Sequence, residues 1–148
     1  MVGDPAEVPK GDFDGDNPLN ELQASWRKSM ITEIAFTGTP VTDMKRARAF
    51  YEGVLGLKPT MESAGGLWVE YDVGGSTLGL GCYGEAWKPS RDGTCVGFEV
   101  DDPEAEIARL KSQGVPVLMA VTDTPMCRFG MISDPDGNRI LIHKRKAK

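Results

Sequence analysis

Three cysteines, one histidine and no long hydrophobic run are the first things this sequence is short of. Cys82, Cys95 and Cys127 are odd in number, far apart and without a Cys-x-x-Cys pair. That pattern excludes a disulfide framework and points to free thiols in a reducing compartment, so a cytoplasmic location is expected. His143 is the single histidine, and no register can build a site from several imidazoles here. No stretch approaches the roughly 18 continuous apolar residues of a membrane helix. The first residues lack a basic region followed by an apolar core, so no secretory signal is expected. Basic residues are also few, 17 Lys and Arg against 22 Asp and Glu, for a net charge of −5 and a pI near 4.9. An acidic chain repels phosphate backbones, and neither nucleic acid nor membrane is an expected partner.

What remains is a chain of 148 residues, 40% hydrophobic and 26% charged, long enough to bury the core of one domain. Glycine is plentiful, at 18 residues. The most informative stretch is Asp134-Pro135-Asp136-Gly137-Asn138 followed by Arg139-Ile140-Leu141-Ile142-His143. Pro fixes φ at one turn position and Gly supplies positive φ at another, so the first five residues are a tight turn. The next five read as the last strand. Alternation puts Ile140 and Ile142 on a core face and Arg139, Leu141 and His143 on the other, where a site is expected.

Residues 1–32 read as a flexible acidic segment rich in Gly, Pro and Asp, then a short amphipathic helix with Leu19, Leu22, Trp26 and Met30 on one stripe. Asp12 to Asp16 begins like a calcium loop, but Asn17 and Gln23 stand where Gly and Glu are required. A strand-like run ends at Val41, and Asp43 caps a helix carrying Ala47, Phe50, Tyr51 and Val54, closed by Gly56. Strands follow at 57–61, 67–73 and 77–83, then a linker over 84–93. The pattern returns: a strand at 94–100, a helix capped by Asp102 with Pro103 at its first position and closed by Gly114, and strands at 115–121, 128–133 and from Arg139 onward. The two caps are 59 residues apart and the two closing glycines 58. An internal repeat at that constancy means two copies of one module, 33–83 and 94–144.

Pro40-Val41-Thr42-Asp43-Met44, Phe50-Tyr51 with Leu55-Gly56-Leu57, Phe98-Glu99-Val100-Asp101-Asp102 and the Asp134–Asn138 turn together resemble the vicinal oxygen chelate superfamily. This group includes glyoxalase I, extradiol dioxygenases and bleomycin-resistance proteins. The resemblance implies an α+β fold of two βαβββ modules whose sheets curl into a cup, here with an N-terminal helical extension. It also implies a homodimer that completes the cup, with the ligand inside. Relatives that use a metal take His, Gln or Glu from four cup positions. Register places those positions at Phe36, Gly79, Cys95 and Leu141, a set that offers one sulfur and no other donor. No metal and no cofactor are therefore expected.

The same register turns Phe36, Gly38, Thr77, Gly79, Gly81, Cys95, Gly97, Glu99, Arg139, Leu141 and His143 toward the cup. Four of these are Gly, which leaves room for a flat or bulky ligand or eases sheet curvature. Arg139 suits an anion, and His143 with Glu99 suits acid–base work, although His143 also sits beside the basic end Lys144-Arg145-Lys146, where it would only be solvated. Arg128 stands near the mouth. Cys95 becomes a nucleophile only beside a cation or base, and a Cys95, Cys127 and His143 metal set is the remaining metal alternative. Trp68 and Trp87 are candidate stacking surfaces, Trp87 alternatively a dimer contact. The leading expectation is a metal-independent binder of a small organic molecule, using Phe36, Trp68, Gly79, Cys95, Glu99, Arg139, Leu141 and His143. The alternatives are a superfamily enzyme, with Glu99 and His143 as catalytic candidates, and a protein-interaction or regulatory module.

Overall fold

The computed structural model of the chain describes residues 33–147. The acidic segment and amphipathic helix expected over residues 1–32 lie outside the described residues. Strand β1 is Thr37–Pro40, and helix α1 is Met44–Arg48, continued by a wide turn over Ala49–Val54. Strands β2, β3 and β4 are Pro59–Ser63, Trp68–Val73 and Ser76–Gly81. The second copy comprises β5 Val96–Glu99, α2 Pro103–Ser112, β6 Val117–Asp123, β7 Cys127–Ser133 and β8 Arg139–Arg145.

Each copy makes one four-stranded mixed sheet, and the two strand orders are the same: β1-β4-β3-β2 and β5-β8-β7-β6. In both, the first strand pairs parallel with the last and the rest are antiparallel. The sequence repeat is therefore a topological repeat, and the fold is two βαβββ modules whose sheets are not closed. Among the described residues no helix is long and apolar enough to cross a membrane.

Local chemistry explains the helices. Asp43 accepts from Arg46 N at 3.0 Å, and Asp102 accepts from Ala105 N at 3.0 Å, so each satisfies a donor that a helix start leaves free. Gly56 and Gly114 close them at φ +75° and +82°, where a Cβ would be strained. The end of α1 widens: Leu55 N bonds Phe50 O, five residues back, at 2.9 Å. This widening keeps Phe50 and Tyr51 together on the buried side.

The core lies between helices and sheets. Val69, Tyr71, Leu78 and Leu80 are buried with Ala47 and Tyr51, and Ile132, Ile140 and Ile142 with Ile107 and Leu110. Alternation then leaves Trp68, Glu70, Gly79 and Gly81 on the opposite face of the first sheet. It leaves Arg139, Leu141 and His143 on the opposite face of the second. The last strand does not fray before its basic end. His143 is paired on both sides, with Glu99 and Phe129, and Lys146 reaches Thr124 O at 2.7 Å and Asp123 at 2.6 Å.

The 134–138 turn does more than reverse the chain. Asp134 is 3% exposed. Its carboxylate accepts from Asp136 N, Asn138 N, Asn138 Nδ2 and, across 83 residues, Tyr51 Oη at 2.9 Å. Asp136 accepts from Thr42 N, Thr42 Oγ1 and Arg46. Asn138 Nδ2 also donates to Pro40 O at 2.9 Å. The hairpin of the second module thus clasps the start of α1 in the first.

Candidate functional site

The glycines on the open face of the first sheet are filled by the chain's own indoles. A Cβ on Gly79 would clash with the six-membered ring of Trp68. One on Gly81 would stand 2.6 Å from the Trp87 ring, and one on Gly38 2.8 Å from it. Gly38 and Gly79 are neighbours across β1 and β4, and Trp68 is the neighbour of Gly81 across β3 and β4. The three missing side chains therefore form a single recess, and two tryptophans lie in it. Neither expected explanation, an empty space for ligand or simple sheet curvature, describes this recess.

The result is an aromatic platform. Trp68 and Trp87 stack with ring centroids 6.4 Å apart and planes 21° from parallel. Phe36 meets Trp68 edge-on at 5.2 Å, and Tyr83 lies against Gly81. Trp68 Nε1 donates to Glu70 Oε1 at 2.8 Å, which fixes the ring over Gly79. Both indoles remain partly exposed and Phe36 is 50% exposed, so the platform has faces free to meet a guest. Trp87, read from the sequence as a stacking surface or a dimer contact, belongs to this platform. The available signal was the pair of glycines at adjoining strand positions. A cavity of about 190 Å³ at the platform edge runs from Gly38 and Trp87 to Thr94 and Asn138 of the second module. A larger one of about 530 Å³ lies on the helix side, between Phe50, Val54, Leu118 and Pro135, and touches none of the expected site residues.

The open face of the second sheet is built in rows. Met119, Met131, Leu141 and Gly97 form one, and Thr122, Phe129, His143 and Glu99 the next. Gly97 differs from the glycines of the first sheet: it is exposed, and a Cβ there would meet only Leu141, at 3.9 Å. Cys95 is exposed at the start of β5, and no cysteine is disulfide-bonded. Arg139 lies at the other end of the Leu141 row's face; its nearest carboxylate is the exposed Asp92, at 3.9 Å. Arg128 is paired with Glu104 on the helix of its own module rather than held free at a mouth.

His143 and Glu99 are brought together. His143 Nδ1 is 2.7 Å from Glu99 Oε2, and Arg145 N donates to Glu99 Oε1 at 2.6 Å. The Arg145 N–H, and then the imidazole, hold the Glu99 carboxyl below its ordinary range. A depressed pKa stabilises the fold above the unfolded carboxylate's pKa, and this contribution is lost as pH falls through the folded value. Glu99 is half exposed, so Glu99→Gln should cost only about 0.5 kcal/mol at pH 7. Urea melts of wild type and variant should converge as pH falls through the folded value.

A metal at the four family positions does not fit these residues. Phe36 and Leu141 present carbon, Gly79 is covered by an indole, and Cys95 offers one sulfur. Among the described residues no three His, Cys, Asp or Glu side chains converge, and that includes Cys95, Cys127 and His143.

Fold and faces define a class of paired βαβββ proteins with open sheet faces. The model of the Glyoxalase/Bleomycin resistance protein/Dioxygenase superfamily matches residues 33–142, and the chain belongs to that superfamily. Among solved structures it is similar to TnmS3, an antibiotic binding protein from Streptomyces sp. CB03234, at 28% identity and a TM-score of 0.66 over 80% of this chain and 99% of that one. It is also similar to a glyoxalase/bleomycin resistance protein from the same organism, at 30% identity and a TM-score of 0.62, over 76% of this chain and 100% of that one. A superfamily member from Sphaerobacter thermophilus, at 23% identity and a TM-score of 0.66 over 79% of this chain and 100% of that one, shares the fold. No curated protein matches the chain significantly.

Proposed function

We propose that this protein is a metal-independent binder of small organic molecules that carry a flat aromatic surface. The observation that carries the proposal is the pair of stacked, partly exposed indoles seated on Gly38, Gly79 and Gly81. A flat guest gains both apolar burial and favourable ring–ring geometry on such a surface. That TnmS3 is described as an antibiotic binding protein supports the same reading. The ligand contacts are Phe36, Trp87 and the Trp68 ring that Gly79 seats on the first sheet, and Cys95, Glu99, Arg139, Leu141 and His143 on the second. Residues 33–144 form the binding domain, 1–32 are an appendage, and two copies pair in the cytoplasm to complete the cup.

The test is a thermal-shift screen of aromatic antibiotics against protein stripped with chelator. A compound at a hundred times its Kd should stabilise the fold by about 2.7 kcal/mol. Trp68→Ala and Trp87→Ala should each weaken its binding roughly 3- to 10-fold by calorimetry. Absence of any shift, or binding that returns only with added zinc or iron, would overturn the proposal. The Glu99–His143 contact favours one second reading, a proton-transfer enzyme, in which His143→Ala abolishes turnover of a bound compound and lowers the compound's affinity far less.

A further inference from the structure

His143 is held in one tautomer. Glu99 is ionised and only accepts, so the imidazole nitrogen facing it, Nδ1, carries the proton. In the neutral imidazole the lone pair is then on Nε2, and Nε2 makes no hydrogen bond among the described residues. The side chain is 26% exposed on the open face of the second sheet, opposite Ile142 and the core. A carboxylate that orients a histidine in this way leaves a fixed, directed acceptor on the other nitrogen.

Arg139 stands two residues beyond Leu141 on the same face. Its Nε is buried without a hydrogen-bond partner among the described residues, while 40% of the side chain is exposed. The guanidinium has only the 3.9 Å approach of a solvent-exposed Asp92. Between Arg139 and His143 lie Leu141 and the open Gly97. Four strand steps span about 13 Å, and two hydrogen bonds of about 2.8 Å leave roughly 8 Å for a guest.

We propose that the strip over Gly97 recognises a hydroxyaryl carboxylic acid, its carboxylate on Arg139 and its hydroxyl donating to Nε2 of His143. The inference rests on the small-molecule reading above and names the ligand class for this face. Gly97 supplies the room for a flat ring, and Leu141 the apolar floor beneath it. Arg139 and His143 set polarity and length: an anionic oxygen at one end, a hydroxyl proton at the other.

The probe is 6-hydroxy-2-naphthoate, which carries its two groups at opposite ends of a flat ring system. Calorimetry compares it with 6-methoxy-2-naphthoate and 2-naphthoate on the full chain. The hydroxyl compound should bind about tenfold or more tightly than either, because only it can donate to Nε2. Arg139→Gln should weaken it by a similar factor. His143→Phe, which keeps a ring and removes the acceptor, should abolish the preference for hydroxyl over methoxy. Equal affinity of wild type for the three naphthoates overturns the inference. So does a preference that survives in His143→Phe, or no binding of the hydroxyl compound at millimolar concentration. The comparison among ligands on wild type needs no variant to fold. A positive antibiotic screen with no naphthoate preference would remove this inference and leave the aromatic platform standing; failure of both would remove both.

Discussion

Asp134→Ala is expected to lower stability by about 3–5 kcal/mol, because several buried donors lose the one acceptor they share. For a domain of this size that is a fall in melting temperature of roughly 10–20 °C. The carboxylate is buried and serves four donors: two backbone N–H groups of its own turn, the Asn138 amide and the Tyr51 hydroxyl. Alanine leaves three of them without a partner and the Asn138 amide with Pro40 O alone, and each buried orphan donor costs about 1–3 kcal/mol, less than additively. Burial and the Asp134 charge both push the Tyr51 phenol well above its ordinary pKa, so its O–H donates at every working pH. Tyr51→Phe removes a single donor and leaves Asp134 its other three, so it should cost about 1–2 kcal/mol. Urea melts of the two variants rank them. Equal losses would mean that the carboxylate serves Tyr51 alone and not the turn.

The second large effect is expected at Gly79. Gly79→Ala places a methyl group where the Trp68 ring now lies, against a backbone that the β3–β4 ladder holds in place. The indole must leave, and overpacking of this kind costs about 1–3 kcal/mol. Displacing Trp68 also breaks its bond to Glu70 and its stacking on Trp87, so binding of an aromatic guest should fall roughly 3- to 10-fold, as in Trp68→Ala. A double-mutant cycle identifies the cause. In Gly79→Ala with Trp68→Ala the methyl group has nothing to strike, so stability should recover most of the Gly79→Ala loss while binding stays weak. If Gly79→Ala leaves both stability and binding unchanged, the recess does not seat the ring.

Much of the architecture was legible because its signals are local. The caps Asp43 and Asp102, the closing Gly56 and Gly114, and the near-constant spacing between them follow from helix-end chemistry, which acts over three or four residues. The alternation in β8 was equally readable: Ile140 and Ile142 are buried, and Leu141 and His143 face away. Strand edges were less so. The strand expected at 57–61 runs Pro59–Ser63, and that expected at 115–121 runs Val117–Asp123. Pairing partners decide where a ladder stops, and β2 and β6 both pair across irregular registers.

The site was legible by face and illegible by contact. Period-two counting placed Phe36, Gly79, Glu99, Arg139, Leu141 and His143 on their open faces. It left the face of Trp68 undecided and kept Trp87 open as a stacking surface or a dimer contact. A ring in a linker and a glycine two strands away carry no mutual signal along the chain. The Glu99–His143 contact is a cross-strand pair over 44 residues and depends on the parallel register of β5 with β8.

Residue order alone therefore determined the repeat, the helix ends, the hairpin turn and the sidedness of β1, β4, β5 and β8, since these arise from backbone preferences of a few neighbouring residues. Tertiary structure alone decided that the turn clasps the other module through Tyr51, Thr42 and Arg46, and that two indoles occupy the space three glycines leave. Those outcomes depend on which surfaces meet once the modules pack, and packing brings together residues 80 to 100 positions apart as readily as near neighbours.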